Sequence, residues 1–454
     1  MFGAASLAGG FTNSPAQLIA ARSVMGLGAA ITFPATLSVI SNVFTERRER
    51  ARAIGLWGAI AGVAIAMGPI VGGWLLEHFS WASIFIAMAP VAALAAAGAA
   101  LVIPDSKDPD AAPPDIPGLV LSSATMALLV FTIIEAPTYG WTAVRSLAGF
   151  AASALLLAAF IVRERSTAHP MLDVRLFRNM RFSAASGAVT VSFFTLFGFI
   201  FLITQYFQFV RGYGPLSTGV RLLPVALSVG AGSVAGTQLA VRAGTKLIVT
   251  TGLVATAGFY GWVAATTSTT LGYGVIAAQM VVYGLGMGLT SAPATESIMG
   301  AISRAKAGVG SAVNDSTRLI GGTLGVAIIG SVYASVYGSR LTATLPARTP
   351  GPVAALAHQS VGAAYTAAGK LAALGHPALG QALQHASTNA FLRGLTIGAL
   401  VAGGVAAAGA ILAILFLPAQ PASRPAGKSP KRRSNPKCWV HEDLQPVLRG
   451  GAVP

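Results

Sequence analysis

The stretch from Ile54 to Leu76 constrains the fold of this chain more than any other. It carries no charge and is long enough to cross a bilayer as a helix, which needs roughly 20 apolar residues. It also contains six glycines and Pro69, which would weaken or kink a helix in water. In lipid, glycines let helices approach closely, and neighbouring helices satisfy the backbone groups that a proline frees. The stretch therefore predicts a tightly packed transmembrane helix.

The composition extends this prediction to the whole chain. Of its 454 residues, 54% are hydrophobic and only 10% are charged. Such values are not typical of a soluble domain and indicate an all-α polytopic membrane protein. The net charge of +16 does not indicate nucleic-acid binding, because the basic residues lie in short connectors between apolar spans.

The sequence lacks the motifs of several kinds of chemistry. The single cysteine, Cys438, excludes an intrachain disulfide framework and a cysteine-based metal site. None of the six histidines belongs to an HExxH pair. A phosphate-binding loop of the Walker type is also lacking, so ATP is not expected to drive the protein directly. We predict neither an enzyme, nor a metal site, nor a cofactor.

The apolar segments predict about eleven complete transmembrane helices and a partial one at the N-terminus. The partial one is Phe2 to Phe11, which as a helix covers only about 18 Å of a core of about 30 Å. The complete spans lie at about 17–44, 53–76, 81–103, 118–136, 146–162, 182–209, 217–240, 247–266, 272–300, 309–334 and 391–417.

The distribution of lysine and arginine predicts the orientation of these spans. Residues 45–52 and 163–181 are rich in arginine, and connectors with this bias face the cytoplasm. Alternation then places the loop 104–117 and the basic tail 418–454 inside as well, and the Ala-rich loop 337–388 outside. The cationic run 431–433 either lies on the anionic inner leaflet or belongs to a solubilising, disordered tail. The predicted location is the cytoplasmic membrane.

The glycines and proline of the opening stretch carry a family resemblance. In order along the chain, the pattern comprises Gly55, Ala64, Gly68, Pro69, Gly72 and Gly73. It resembles the antiporter motif in the fifth helix of proton-coupled drug exporters of the major facilitator superfamily. The resemblance implies that these residues form helix contacts that such an exporter uses. We expect Gly72 in particular to face a close helix contact.

Other segments extend the resemblance to nearly the whole chain. Arg22, with small residues after it, resembles the fourth-helix motif, whose arginine is associated with proton coupling. Two extra spans within 118–162 point to the fourteen-helix branch, which includes QacA-like and EmrB-like multidrug exporters. Further similarity to that branch lies at 205–208, 219–224, 293–295 and 307–312.

The resemblance implies a major facilitator fold with a shortened N-terminal half. Residues 1–103 would be helices three to six of an N-terminal six-helix bundle, and 182–417 would be the C-terminal six-helix bundle. The first two helices, with an acidic residue that the family uses in proton coupling, have no counterpart. We therefore expect an N-terminally truncated chain or a start assigned too far downstream.

Two groups of residues are candidates for handling protons and substrate. Arg22 has no acidic partner within a turn of helix, so it is expected either to pair with an acid or a carbonyl in a cavity or to snorkel to the outer interface. One span carries amides and aromatic rings that suit a pocket for flat, lipophilic cations, although such rings also serve packing. These residues are Gln205, Tyr206, Phe207 and Gln208.

Charges in the last third form a second candidate for proton coupling. Asp315 and Arg318 lie three residues apart on one helix, so we expect them to pair. Glu296 is expected to face Arg304 or Lys306. The pairs either hold two helices in register, or the carboxylates carry protons because a low-dielectric cavity favours their neutral form.

The leading hypothesis is proton-driven efflux of lipophilic or cationic compounds by alternating access. The expected partners are the lipid bilayer, protons and a small-molecule substrate, with no nucleic acid and a monomer favoured. The alternatives are an exporter of one endogenous metabolite and a remnant that does not transport.

Overall fold

The computed structural model describes residues 1–44, 46–103, 115–167, 170–172, 174–301, 307–346 and 349–418, with only part of the side chains between residues 33 and 66. Within these ranges the chain is helical and contains no strand. Most of the predicted loop 104–117, nearly all of the tail 418–454, and both Arg304 and Lys306 lie outside the described residues. The predicted all-α class is confirmed.

The N-terminal part consists of one short helix and three long ones. They are α1 (Phe2–Gly10), α2 (Pro15–Val43), α3 (Arg47–His78) and α4 (Ser83–Val102). The start of α2 follows from its sequence, since Ser14 accepts a hydrogen bond from the Gln17 amide and Pro15 takes the first helical position. The predicted partial span is α1, which packs against α4 where Gly3 faces Ala92.

The C-terminal bundle is built from six long helices. They are α7 (Met180–Gln205), the pair α8 (Pro215–Arg221) and α9 (Leu223–Ala243), α10 (Thr245–Thr266), α11 (Tyr273–Gly300), α12 (Ala307–Thr344) and α15 (Pro377–Phe416). A 3₁₀ turn, Val174–Arg178, precedes α7, and a π-helical turn, Tyr206–Val210, ends it. Glycines allow the tightest crossings, because a Cβ on Gly286 of α11 would lie 2.8 Å from the Gly252 carbonyl oxygen of α10.

The two extra spans form a hairpin, α5 (Ile116–Tyr139) and α6 (Val144–Ser166), turned at Gly140, whose φ is +98°. This hairpin packs on α12. The Ser331 hydroxyl donates to the Ile133 carbonyl at 2.7 Å, and the Trp141 indole donates to Ser335 Oγ at 3.2 Å. In the described part of the chain, nine helices are long and apolar enough to cross a membrane, including both helices of the hairpin.

The described residues of the segment 337–388 are mostly helical, so its prediction as an irregular loop was wrong. Helix α12 has 38 residues and α15 has 40, about 57 and 60 Å, which exceeds a bilayer core of about 30 Å. Two further helices, α13 (Gly351–Gln359) and α14 (Val361–Ala373), pack on the projecting ends. We call residues 337–388 the helical cap. Its interior is apolar, with Leu341, Val361 and Leu383 fully buried, and this burial stabilises helices where no bilayer is needed.

Candidate functional site

The antiporter-like motif lies where the N-terminal helices meet the C-terminal bundle. Gly73 on α3 is buried, and a Cβ on it would lie 2.6 Å from the Pro215 carbonyl oxygen and 2.8 Å from Leu216 Cα. Gly219 on α8 faces the Pro69 carbonyl group in the same way, without room for a Cβ. The two helices therefore touch backbone to backbone, a contact that only glycine permits.

The rest of the motif does not take part in this contact. Gly68 and Gly72 have no atom of the described residues within 4 Å of an added Cβ, and Ala64 is exposed. The expectation that Gly72 faces a close contact was therefore wrong, and its neighbour Gly73 does so. Adjacent helical residues point about 100° apart, so only one of the pair can face α8. Gly55 lies within α3, in the part where few side chains are described.

Arg22 lies exposed on α2. Its guanidinium has no hydrogen bond or ion pair with any residue that the structure describes, so the expected pairing with an acid or carbonyl is not formed there. An open cavity of about 700 Å³ is lined by residues of α1 and α2, including Ala21 and Val24 on either side of Arg22 in the chain. The coupling role of Arg22 therefore remains a prediction.

Arg318 is the centre of a polar cluster inside the C-terminal bundle. Its Nη2 donates to Thr295 Oγ1 at 3.2 Å, and that hydroxyl donates to Asn314 Oδ1 at 3.0 Å. The guanidinium also lies 5.3 Å above the ring of Phe193, a favourable cation–π contact. Its Nε is buried and has no partner among the described residues.

The expected pair of Asp315 with Arg318 is not formed. Although both lie on one face of α12, no Arg318 nitrogen is within 4 Å of the carboxylate, and the one ion pair among the described residues joins Arg163 and Asp115. Arg318 instead turns towards α11 and α7 through Thr295 and Phe193. Asp315 stays half-buried, with its charge close enough to Arg318 to act over a short distance without a direct bond.

Glu296 lies next to this cluster in sequence but not in space. Its neighbour Thr295 faces Arg318, whereas Glu296 is exposed on the other side of α11. It makes no hydrogen bond or ion pair with the described residues. Its expected partners, Arg304 and Lys306, lie outside those residues. Nearby, Ser297 accepts a hydrogen bond from Arg181 Nε at 3.1 Å, which ties the same end of α11 to α7.

The four candidates for a substrate pocket lie at the end of α7, around its π-helical turn. The Tyr206 hydroxyl donates to the Ser268 carbonyl at 2.7 Å, and Gln205 Nε2 donates to the Phe201 carbonyl at 3.1 Å. Phe207 is fully buried with its ring 5.6 Å from that of Tyr213. Gln208 is half-buried in the turn itself. Turns of this kind occur frequently at functional sites.

Of these four residues, Tyr206 lines the apolar cavity beside the turn, and the other three do not. This cavity, of about 50 Å³, lies between α7, α10, α11 and α15. The wall is otherwise mainly apolar, with Phe199, Phe259 and Met280 among its residues. A space of that size holds a few water molecules and is too small for a drug-sized ligand, which needs about 300 Å³ or more.

Two features around the bundle were missed in the sequence. One is a buried polar centre, in which the Tyr260 hydroxyl donates to the Thr195 carbonyl at 2.6 Å and the Tyr283 hydroxyl contacts Thr195 Oγ1 at 3.3 Å. No signal for this centre is present in the sequence, because the hydroxyl partner of each tyrosine lies on another helix and is not visible in one sequence.

The other missed feature is a cluster of arginine and tyrosine near the end of α7. The Arg221 guanidinium lies 4.0 Å above the ring of Tyr213, and Arg211 Nη2 donates to the Tyr213 hydroxyl at 3.4 Å. This hydrogen bond lowers the pKa of the Tyr213 hydroxyl and raises the pKa of the Arg211 guanidinium. The cluster therefore keeps positive charge beside the α8 contact with α3.

Comparison with known proteins finds a matching family and several similar proteins. A family model described as Major Facilitator Superfamily matches residues 1–326. The multidrug resistance protein Stp of Mycobacterium tuberculosis is 33% identical over 78% of this chain and 65% of its own length. The methyl viologen resistance protein SmvA of Salmonella typhimurium is 32% identical over 85% of this chain and 77% of its own length.

A third relative extends the match further along the chain. The tetracenomycin C resistance and export protein of Streptomyces glaucescens is 31% identical over 93% of this chain and 79% of its own length. Against Stp, in contrast, the chain spans less than two thirds of the relative's length.

Proposed function

Because this chain belongs to the major facilitator superfamily, we propose that it exports lipophilic or cationic small molecules across the cytoplasmic membrane in exchange for protons. The observation that carries this proposal is the contact of Gly73 with Pro215 and Leu216. Alternating access requires two bundles that rock against each other around a central site. The backbones of α3 and α8 touch with no side chain between them, and we call this contact the α3–α8 seam. It gives the rocking motion a fixed line of contact between the two helices.

Proton coupling is proposed to centre on Asp315 and Arg318. Arg318 is bonded to Thr295, and its buried Nε has no partner among the described residues. When Asp315 loses its proton, the carboxylate attracts the guanidinium away from Thr295, and α12 shifts relative to α11. Protonation of Asp315 reverses the shift. An intramembrane ionisable pair of this kind is expensive and is therefore expected to serve function.

The other candidates take supporting roles in this proposal. Arg22 on α2 provides a second cation that a proton-carrying acid or a substrate carbonyl pairs with during transport. Gln205 and Gln208 offer amide groups beside the aromatic end of α7. Tyr206 is buried in this conformation, so a flat cation is proposed to stack on its ring only when the bundle opens during transport. Phe207 is buried and holds the turn in place. Glu296 offers a carboxylate at the exposed side of α11.

The relatives support a membrane exporter that handles cations. Stp is named for multidrug resistance, and SmvA is named for resistance to methyl viologen, which is a flat dication. No cofactor is required, since the proton gradient supplies the energy. The proposed location is the cytoplasmic membrane with the C-terminus inside, as the distribution of basic residues predicts, and we propose a monomer.

The test uses the purified chain in proteoliposomes. With a methyl viologen analogue or another fluorescent lipophilic cation, an imposed pH gradient is expected to drive accumulation, and collapse of the gradient with a protonophore is expected to abolish it. Accumulation that is identical with and without the gradient would contradict proton coupling. Absence of any movement above that of empty liposomes would contradict transport by this chain.

A second function is favoured by one specific observation. The relative that covers 93% of this chain is named for the export of one compound, tetracenomycin C, so a single metabolite is a candidate substrate. Export of one compound class predicts protection of a susceptible host against few members of a varied panel. Protection against several unrelated cations would favour the broader function.

A further inference from the structure

Two acidic side chains meet at the end of the α5–α6 hairpin that is remote from Gly140. Asp115 precedes α5, where its Oδ1 accepts hydrogen bonds from the Gly118 amide and Arg163 Nη2, both at 3.2 Å. Glu164, near the end of α6, accepts a hydrogen bond from the Leu172 amide at 2.8 Å through Oε2. Both are almost fully buried, with 1% of the Asp115 side chain and 3% of Glu164 exposed.

The second oxygen of each carboxyl group has no partner. Asp115 Oδ2 and Glu164 Oε1 are buried and form no hydrogen bond in the described part of the chain. Both point into the space above Gly118, because a Cβ there would lie 2.7 Å from Oδ2 and 2.8 Å from Oε1. The two oxygens are therefore at most about 5.5 Å apart. Two ionised carboxylates in such a place repel each other and lack donors, so both cannot be charged without a large cost.

Among the described residues, one ion pair is formed by the two carboxyl groups. Arg163 contacts Asp115, and this is the one ion pair within 4 Å among residues that the structure describes. The other described cations near this end are Arg165 on α6 and, on the 3₁₀ turn packed against α6, Arg175 and Arg178. No nitrogen of Arg165 or Arg178 lies within 4 Å of either carboxyl group. The two acids thus form one ion pair in the part of the chain that the structure describes.

A proton fits this gap better than a metal ion. Calcium and magnesium take about six or more oxygen ligands, and the described residues contain no group of three or more side chains that could hold a metal. A shared proton needs only the two oxygens that point into the gap. Its hydrogen bond would satisfy both of them, as in other pairs of carboxyl groups that cannot both ionise.

We propose that Asp115 and Glu164 form a proton-binding site, in which one proton is shared between Asp115 Oδ2 and Glu164 Oε1. The site joins the start of α5, the end of α6 and the backbone at Leu172, which leads through the 3₁₀ turn to α7. The basic connectors predict this end of the hairpin to face the cytoplasm. Loss of the proton leaves two charges facing each other, so the hairpin end separates from the connector when the internal pH rises.

The test measures the protonated carboxyl group directly by infrared spectroscopy of the purified full-length chain in detergent. The C=O stretch of a protonated carboxyl group is expected at neutral pH in the parent. It is expected to lose the intensity of one group per chain in Glu164→Gln and in Asp115→Asn. Glu135→Gln, at the opposite end of the same hairpin, is the matched control and is expected to keep the band. Because transport is not measured, the outcome is independent of the proposed function.

Three results would overturn the proposal. They are a parent without the band, a band that persists unchanged in Glu164→Gln or Asp115→Asn, and a band that emerges only after sodium, potassium and magnesium ions are removed. The last would mean that a cation occupies the gap.

A second measurement covers the case in which Asp115→Asn does not fold. The folded parent is proposed to retain a proton that the unfolded chain, whose carboxyl groups ionise near about pH 4, has already released. The thermal stability of the parent is therefore expected to fall as the pH rises above that value, until the folded chain also gives up the proton. Glutamine mimics the protonated acid, since it accepts from Leu172 and donates to Asp115, and Glu164→Gln should flatten that dependence. A parallel decline in both proteins would contradict the shared proton.

Discussion

Gly73 and Pro215 touch through their backbones, so that a Cβ on Gly73 would lie 2.6 Å from the Pro215 carbonyl oxygen. Gly73→Ala is therefore expected to push α3 away from α8. Overpacking of this kind costs about 1–3 kcal/mol, and we expect efflux to fall about tenfold at similar protein levels. Efflux from cells loaded with a fluorescent cation measures the change.

Gly72→Ala is the matched control, because an added Cβ there meets no atom of the described residues. It is expected to export like the parent. An equal loss of efflux in both variants would show that the small residues act within α3 itself. Full efflux by Gly73→Ala would show that transport does not need the close contact between α3 and α8.

The helical cap offers a second pair of glycines on one helix. A Cβ on Gly362 would lie 2.6 Å from the Phe209 ring, whereas Gly369, also in α14, has open space around it. Gly362→Ala is expected to lower the thermal stability by displacing α14 from the π-helical turn. Gly369→Ala is expected to raise it slightly, since alanine favours a helix by about 0.5–1 kcal/mol over glycine. If Gly362→Ala is as stable as Gly369→Ala, the cap does not rest on Phe209.

The helices of the bundle were predictable because a bilayer span needs a long apolar segment. The prediction 247–266 and the helix Thr245–Thr266 differ by two residues at one end. The cap was missed because its helices are short and alanine-rich. Their buried residues Val361, Ala364 and Leu371 follow helical spacing, but small side chains make that pattern weak.

The site was less predictable than the fold because contacts depend on helix rotation and on partners far along the chain. The sequence places Gly72 and Gly73 side by side, and only the packing of α8 distinguishes them. Likewise Asp315 and Arg318 share a face of α12, yet Thr295 from α11 binds the guanidinium. A partner on another helix cannot be read from local spacing.

The topology remains a prediction that cysteine labelling can test. In a Cys438→Ser background, single cysteines are placed at Ser166, the last residue of α6, and at Ala372, in the cap, and both positions are exposed. An impermeant thiol reagent added to intact cells is expected to label Ala372→Cys and to spare Ser166→Cys until the cells are opened. The reverse pattern would invert the orientation, including the proposed internal position of the Asp115–Glu164 site.

Arg22 is expected to matter for coupling and not for folding. It is exposed and bonds to none of the described residues, so Arg22→Ala should leave the protein level unchanged while efflux driven by a pH gradient is lost. Arg22→Lys should restore part of it, since lysine keeps the charge but lacks the planar fork. Unchanged efflux by Arg22→Ala vesicles would remove Arg22 from the proposed mechanism.

The most direct test of the proposed mechanism is transport by Asp315→Asn in proteoliposomes under an imposed pH gradient. Asparagine keeps the shape of the protonated acid but cannot release a proton. The account predicts that this variant folds, binds the cation and exchanges it without a gradient, but no longer accumulates it when the gradient is applied. Asp315→Arg with Arg318→Asp is not expected to restore accumulation, because the swap removes the guanidinium that binds Thr295 and moves the proton-carrying carboxylate to another position. Accumulation by Asp315→Asn at the parental rate would contradict proton coupling through Asp315.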